Sequence, residues 1–250
     1  MRRLFGIILT PVHYLLFSLV LLIFHPIQWM CFNWFGYKAH KRSVDILNFF
    51  LVSTYYALGN TASYSNTQNL PTGRPMIFVA NHQSLYDIPA MIWFLRKYHA
   101  KFISKIELAK GIPSISYNLR HGGAANIDRK DPRQSMTELA RFGTDMKTKG
   151  WSAMIFPEGT RSADGMVRTF QSAGVAMLLK KCPDALIVPV AINNSWKMVR
   201  YGKYPLNTFL SMSWTVLSPI EMEGRKADEV LSIAEDAIRK HLGQPSPLAP

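Results

Sequence analysis

The feature that most restricts this chain is an N-terminal run without formally charged side chains. Between Arg3 and Lys38 lie 34 residues that include no Asp, Glu, Lys or Arg, whereas about 20 apolar residues suffice to cross a bilayer core. A cleaved signal peptide has a shorter apolar region and a small-residue cleavage site, and neither is recognisable here. The run therefore predicts membrane-embedded helix, the alternative being the buried core of a soluble domain.

Two topologies fit this segment. Basic residues precede it at Arg2 and Arg3 and follow it from Lys38 onward. A re-entrant hairpin keeps both basic flanks on one side, whereas a single span separates them. A shorter apolar stretch, 44–59, predicts an interfacial or packed helix. Residues 1–60 are thus expected to form a membrane-associated helical segment.

Composition supports a membrane setting for the rest of the chain. The formal net charge is +13 while only 18% of the residues are charged and 48% are hydrophobic. A basic excess indicates polyanionic partners, namely nucleic acid, an anionic membrane surface or phosphorylated substrates. The low charged fraction and the absence of a basic patch interleaved with aromatic residues argue against nucleic acid. The two cysteines, Cys31 and Cys182, have no metal-site spacing, so we expect no zinc or other metal site and a reducing compartment.

From about residue 70, short apolar strands alternate with amphipathic helices. Buried strands are predicted at 75–80, 100–104, 152–156 and 185–192, an additional strand at 211–218, and helices at 133–149 and 227–242. This pattern predicts an α/β fold in which a mixed, largely buried sheet is flanked by helices, over residues 61–243. Pro189 removes a ladder donor, so its strand should lie near an edge or a bulge. The tail, 244–250, is Pro-rich and predicted to be disordered.

The stretch NHQSLYD, 81–87, follows the first of these strands. In one continuous helix His82 and Asp87 would point about 140° apart, so they can meet only if His82 ends the strand and Asp87 begins a helix. A carboxylate on one imidazole nitrogen fixes the tautomer and favours proton uptake at the other. His82 could then deprotonate an alcohol. The alternative is a helix cap beside an ordinary surface histidine.

Three further stretches offer anion-binding groups after apolar strands. In FPEGTRS, 156–162, Gly159 permits a close backbone approach and Arg161 presents a planar fork for phosphate. The alternative there is a turn stabilised by a pair between Glu158 and Arg161. Arg129 in GGAANIDRK, 122–130, and Lys105 after the strand at 100–104 supply further cations, or are solvated surface residues.

Taken together, NHxxxxD, then IDR, then FPEGTRS, then VPVAI resemble the four ordered motifs of the glycerolipid acyltransferases, the family of 1-acylglycerol-3-phosphate acyltransferases. The resemblance covers about residues 75–195. It implies the glycerolipid acyltransferase fold, with membrane-embedded N-terminal helices. It implies that His82 is a general base held by Asp87. The residues implied to bind the acceptor's phosphate are Lys105, Arg129, Glu158, Gly159, Thr160 and Arg161.

The expected reaction is acyl transfer from a fatty acyl thioester to the free hydroxyl of lysophosphatidate, which gives phosphatidate. No resident cofactor is expected, because coenzyme A or an acyl carrier protein brings the acyl group as co-substrate. The other expected partner is the lipid bilayer, with the catalytic domain facing the cytoplasm.

The chain departs from the family pattern at two places. Gln171 stands where a lysine is usual, and Ala124, Ala125 and Asn126 stand where bulky apolar residues are usual. Both leave the chemistry intact but leave the acceptor open, so another lysophospholipid or a lyso-aminolipid is the alternative. A non-catalytic basic membrane-surface protein is a further alternative, which does not explain the ordered polar residues at strand ends.

Overall fold

The structure is a computed structural model that describes residues 2–246. Its helices and strands, in chain order, are α1 Arg2–Ser53, β1 Thr61–Asn66, β2 Met76–Ala80, α2 Asp87–Phe94, β3 Ala100–Lys105, α3 Ile115–His121, β4 Ala125–Ile127, α4 Pro132–Lys149, β5 Ser152–Ile155, α5 Ala173–Lys181, β6 Leu186–Asn193, β7 Ser211–Val216 and α6 Ala227–His241. The strands join in one sheet in the order β1-β7-β6-β2-β5-β3-β4.

The sheet is mixed, as the sequence predicts. All neighbouring strands pair in parallel except β6 and β7, which pair antiparallel. On one face the core is built with α2 and the end of α1, and on the other with α4, α5 and α6. The central strands β2 and β5 are buried at every residue, which explains their continuous apolar sequences.

The predicted strands and helices of the α/β region are confirmed. Helix α4 begins after Asp131, whose carboxylate accepts hydrogen bonds from the N–H groups of Arg133 and Gln134. Four elements are absent from the sequence prediction: β1, α3, β4 and α5. Each is nine residues or shorter, and β1 has few apolar residues because it is a half-exposed edge strand.

The N-terminal helical segment folds back on itself. Gly36 has φ 79° and ψ −173°, a conformation almost restricted to glycine, and interrupts α1 there. The two arms, 2–35 and 37–53, lie side by side, since Leu21 packs on Leu47 and Leu51. Nearer the open end, His13 Nδ1 lies 3.0 Å from the carbonyl oxygen of Thr54. The segment is therefore a helical hairpin within which the 44–59 stretch is packed, and its topology in a membrane stays a prediction.

Pro189 does not lie on an edge strand, because β6 is between β2 and β7. It lies beside a bulge instead. Val190 pairs with Val216 whereas Ile187 pairs with Ile220, so the partner strand has one extra residue over this interval. The N–H that proline lacks therefore faces an interrupted part of the ladder.

The end of the chain is only partly described. Within the predicted tail, Gln244 accepts a hydrogen bond from the N–H of Val167 and donates one to the carbonyl of Gly165. Residues 247–250 lie outside the described residues. The predicted disorder of 244–250 therefore stays a prediction for the last four residues, while Gln244 is in contact with the domain.

Candidate active site

The candidate polar residues meet at the carboxyl ends of the parallel strands, which we call the carboxyl edge of the sheet. The neighbouring strands β2, β5, β3 and β4 run parallel, so their carboxyl ends share this edge. His82 follows β2, Glu158 follows β5, Lys105 ends β3 and Arg129 follows β4. Ligands of open α/β sheets bind at the carboxyl ends of strands, and this edge is therefore the candidate active site.

His82 and Asp87 form a direct pair. Strand β2 ends at Ala80 and α2 begins at Asp87, so His82 lies in the connecting loop. The distance from His82 Nδ1 to Asp87 Oδ2 is 2.9 Å. The strand–loop–helix junction predicted from the spacing is confirmed, and it leaves Nε2 of His82 as the nitrogen that is not committed to the carboxylate.

Asp87 is held from several sides. Its Oδ2 also accepts from the backbone N–H groups of Gln83 at 2.7 Å and Ser84 at 2.9 Å. Its Oδ1 accepts from the hydroxyls of Ser84, at 3.3 Å, and of Ser195. The side chain is fully buried. Five donors converge on one carboxyl group, which suits the ionised form because that form only accepts hydrogen bonds.

The loop after β5 supports His82 on its other side. The Phe156 ring stacks on the imidazole with a centroid distance of 4.0 Å and an interplanar angle of 11°. Glu158 Oε1 accepts a hydrogen bond from the backbone N–H of His82 at 2.9 Å, and the N–H of Ser162 donates to the carbonyl of His82 at 2.8 Å. The 156–162 loop thus fixes both the ring plane and the backbone of His82.

Glu158 is buried, and its Oε2 has no hydrogen-bond partner in the described structure. Burial raises the pKa of the Glu158 carboxyl to about 7, and the opposing effects of the His82 N–H and of Arg168 are smaller. The expected alternative pair between Glu158 and Arg161 is wrong, because the carboxylate contacts the backbone of His82 instead. Glu158 is therefore in direct contact with the candidate base through its backbone.

The expected phosphate-binding residues are only partly brought together. Arg129 crosses from the end of β4 to donate to the carbonyl of Gly159, which has φ 70°. Thr160 and Arg161 are exposed beside it on the same loop. Lys105 is exposed at the end of β3, two strands from β2, and its side chain makes no ion pair within residues 2–246. Arg161 and Lys105 are thus free cations at the rim of the site.

Sequence reasoning missed the contribution of β6. Asn81 forms two hydrogen bonds with the backbone of Ile192, at 2.9 and 2.8 Å, and so extends the pairing of β2 with β6. Just beyond, Ser195 reaches Asp87 from a turn that Asn194 enters with φ 67°. The signal available was the order of parallel strands, because β6 also ends at this edge of the sheet.

Comparisons with known proteins agree with this architecture. The sequence model of the acyltransferase family matches residues 62–193. A crystal structure of the 1-acyl-sn-glycerophosphate acyltransferase PlsC from Thermotoga maritima has a TM-score of 0.79, covers 97% of both chains and is 22% identical, which shows the same fold.

Curated relatives include plant and bacterial proteins named 1-acyl-sn-glycerol-3-phosphate acyltransferases. The chloroplastic LPAT1 of Arabidopsis thaliana is 25% identical over 97% of this chain and 65% of its own length. BAT2 of Brassica napus is 30% identical over 70% and 49%, and the Pseudomonas aeruginosa enzyme 25% identical over 78% and 76%. The chain thus spans about half to two thirds of these plant relatives. Since the family's sequence model covers more than half of its 250 residues, the chain belongs to the acyltransferase family.

Proposed function

We propose that the chain is a 1-acylglycerol-3-phosphate O-acyltransferase, which transfers a fatty acyl group from a thioester to lysophosphatidate and forms phosphatidate. The observation that carries the proposal is the 2.9 Å contact between His82 Nδ1 and the buried carboxylate of Asp87, at the carboxyl edge of the sheet. The names of the relatives support the same acceptor.

In this proposal His82 is the general base. With its Nδ1 committed to Asp87, its Nε2 takes the proton of the acceptor hydroxyl while that oxygen attacks the thioester carbonyl carbon. The carbon–sulfur bond of the tetrahedral intermediate then breaks, and the leaving thiolate takes the proton from the imidazolium. No acyl-enzyme forms, so Ser84 acts through its hydrogen bonds to Asp87 and not as a nucleophile.

Acceptor binding is assigned to the cations at the rim. A lysophosphatidate headgroup carries nearly two negative charges, and Arg161, Arg129 and Lys105 offer charge-assisted hydrogen bonds. Gly159 and Thr160 supply the exposed loop between them. The buried Glu158 carboxyl would repel a phosphate, and its contact with the His82 N–H favours a role in positioning the base.

The acyl donor is proposed to be a thioester of coenzyme A or of an acyl carrier protein, without a resident cofactor. A thioester is already activated, and its developing oxyanion needs only hydrogen-bond donors. This part of the proposal rests on chemistry, and a comparison of thiol release from the two donors tests it.

We also propose that the N-terminal hairpin embeds its outer face in a membrane, with the catalytic domain on the cytoplasmic side. By length and composition, the helical region Arg2–Leu58 could cross a membrane. Its inner face packs on α2 and α3, whereas its outer face exposes many large apolar side chains, among them Leu4, Ile8, Leu15, Leu22, Trp34 and Phe35. A lipid acceptor that barely leaves the bilayer would reach the site from there.

One observation favours a different acceptor. Gln171, which replaces the usual lysine, is exposed next to the site, and its N–H donates to the carbonyl of Pro157 at 3.0 Å. The loss of one cation near the headgroup suits a less charged lysophospholipid or a lyso-aminolipid. A panel of lysolipids decides between these acceptors.

The test measures thiol release by the purified protein with each lysolipid. We expect the highest kcat/KM with lysophosphatidate, and His82→Ala to lower turnover by roughly 10²–10⁴-fold. The matched control is His241→Ala, which removes an exposed histidine from the end of α6. Near-normal turnover of His82→Ala would overturn the assignment of the base, and no turnover with any lysolipid would overturn the proposed activity.

A further inference from the structure

A cavity lies at the amino-terminal ends of the parallel strands, opposite the end where His82 lies. It has a volume of about 760 Å³ and is lined by residues that precede strands, including His99 before β3, Ala124 before β4 and Trp151 before β5. The tip of the N-terminal hairpin, with Tyr37 and Lys38, closes one side. A six-residue strand such as β3 is about 20 Å long, so this cavity is separate from the proposed active site.

The tip is fixed by an aromatic stack. Tyr37 stacks on His99 at 5.7 Å and on Trp151 at 5.6 Å, and its hydroxyl lies 2.8 Å from His99 Nε2. The Nζ of Lys101 lies 5.1 Å from the Tyr37 ring centroid and 5.5 Å from that of Trp151. The stack thus holds the half-buried amino group of Lys101 behind the wall of the cavity.

Positive charge around the cavity exceeds negative charge. Both carboxylates in the lining are already paired, Glu138 with Arg141 at 2.6 Å and Asp145 with Arg141 at 2.5 Å and Lys149 at 2.8 Å. Lys38 and Arg120 also line the cavity. Neither forms an ion pair within residues 2–246, although Arg120 Nη1 donates to the carbonyl of Ala109 at 2.6 Å. Two cations are thus left without a counter-charge.

Burial and the surrounding positive charge also lower the pKa values of Lys101 and His99. Desolvation and, to a smaller extent, the charge of Lys41 lower the pKa of Lys101 to about 7, against an opposing effect of Asp45. Desolvation and, to a smaller extent, repulsion from Lys101 and Lys41 lower the pKa of His99 to about 4. Asp45, the acid of this cluster, is already bound to Lys41 at 2.5 Å. An anion in the cavity would relieve this repulsion.

Two further features specify the ligand. Asn126, in the cavity lining, has a buried Oδ1 without a hydrogen-bond partner in the described structure, which suits a headgroup hydroxyl. Beside the cavity, the hairpin tip exposes Trp34 by 65% and Phe35 by 72%. Exposed aromatic residues next to basic residues are typical of a membrane interface. The ligand should therefore join an anionic, hydroxyl-bearing head to an apolar body.

We infer that this cavity binds the headgroup of an anionic membrane phospholipid, with Lys38 and Arg120 facing its phosphate and the hairpin tip among its acyl chains. The inference rests on the proposed membrane contact of the hairpin and not on acyl transfer at His82. Lipid bound here would anchor the tip of the hairpin at the amino edge of the sheet, while the carboxyl edge stays free for the substrates.

The test compares flotation of the full chain with vesicles of phosphatidylcholine alone and with vesicles that also contain phosphatidylglycerol, in the absence of acyl donor and acceptor. Ala124→Ile fills the cavity without a change of charge, and Lys38→Gln removes one cation. The matched controls are Ala176→Ile and Lys180→Gln, at exposed positions of α5 outside the cavity lining.

We expect both cavity variants to lose the preference for phosphatidylglycerol, Lys38→Gln by about fivefold, while binding to phosphatidylcholine and both controls are unchanged. If Lys180→Gln loses as much as Lys38→Gln, the attraction is diffuse and the inference is overturned. A folded Ala124→Ile that keeps the preference also overturns it, and if that variant fails to fold, Lys38→Gln alone decides. Suppression of the preference by soluble inorganic phosphate would assign the cavity to free anions instead of lipid.

Discussion

At the scale of single residues, Asp87 shows how many hydrogen-bond donors surround one buried carboxylate. Two backbone N–H groups, two hydroxyls and one imidazole reach it from the loop between β2 and α2 and from the turn after β6. A buried charge is tolerated only when such donors compensate its lost hydration. The orientation of His82 therefore depends on residues that never approach a substrate.

Ser195 is the most testable of these supports. Its hydroxyl donates to Asp87 Oδ1 and lies 3.3 Å from Gln83 Oε1, fully buried. Because a hydrogen bond to a charged group contributes about 1.5–3 kcal/mol, we expect Ser195→Ala to lower kcat by about tenfold or more with little change in acceptor KM. Ser195→Thr keeps the hydroxyl and should restore part of the rate, whereas Ser65→Ala on β1 should be neutral. An acceptor KM that rises while kcat holds would contradict this role.

The raised pKa of the Glu158 carboxyl predicts that the stability of the folded protein depends on pH. Its pKa is 4.5 in the reference state and about 7 in the folded protein. Because the folded value is the higher, the protonated acid favours folding below about pH 4.5, and this contribution is lost as the pH rises through about 7. The change amounts to at most about 3 kcal/mol.

In the Glu158→Gln variant the side chain at this position is uncharged at every pH. The stability of the variant relative to the parent protein should therefore be greater above pH 7 than near pH 4.5, in thermal unfolding of the detergent-solubilised protein. Glu229→Gln, an exposed change at the start of α6, is the control. A difference between variant and parent that does not vary with pH would show that the Glu158 carboxyl is not desolvated.

The position of Arg161 predicts that its removal weakens binding of the acceptor without affecting the chemical step at His82. It is exposed at the rim and makes no contact with His82 or Asp87. We expect Arg161→Ala to raise the KM for lysophosphatidate by roughly tenfold, since a hydrogen bond to a charged group is worth about 1.5–3 kcal/mol. The initial-rate series should include Arg225→Ala, at the opposite edge of the sheet, as control. An unchanged KM would refute the phosphate role.

At the scale of elements, what the sequence predicts well is what burial imposes. The strands β2, β5 and β6 are buried on both faces, so they read as continuous apolar runs, and α4 has a cap and a clear apolar stripe. The edge strand β1 and the three-residue β4 have no such signature, because pairing with a neighbour creates them. The bulge expected from Pro189 is confirmed, but proline alone does not say whether its strand is central or at the edge of the sheet.

The hairpin turn is the element whose form depends on one residue. Gly36 adopts φ 79° and ψ −173°, and a Cβ there would meet no atom within 4 Å. The cost of Gly36→Ala is thus conformational, about 1–3 kcal/mol, and should appear as a lower melting temperature. Phe35→Ala, at the exposed neighbour, should leave the melting temperature nearly unchanged. Equal melting temperatures for Gly36→Ala and the parent protein would mean that the turn is not populated as described.

At the scale of the whole molecule, the candidate site was predictable in its members and not in its arrangement. Sequence order brings His82 and Asp87 together through one loop, but only the strand order β2-β5-β3-β4 brings Glu158 and Arg129 to the same edge. The expected contact of Glu158 with the acceptor stays a prediction, and its hydrogen bond to the backbone N–H of His82 could not be read from the sequence. Roles that depend on neighbours across a sheet cannot be read from spacing along the chain.

The apolar outer face of the hairpin yields the last prediction. Ile8, Leu15 and Leu22 recur every seven residues on the first arm and are 65%, 60% and 56% exposed. Because they make little contact with the domain, replacing all three by Glu should leave the fold intact while introducing charges that are costly in lipid. We expect the triple variant to move from the membrane fraction to the soluble fraction in fractionated cells and to keep its thermal unfolding transition.

Ile233→Glu, on the exposed side of α6, is the matched control and should not change the distribution. A triple variant that unfolds would mean that these residues pack against protein. A folded triple variant that stays in the membrane fraction would show that another surface anchors the chain. Because its net charge of +13 also attracts anionic membranes, the fractions should be compared at low and at high salt, since high salt screens charge and leaves the apolar contact.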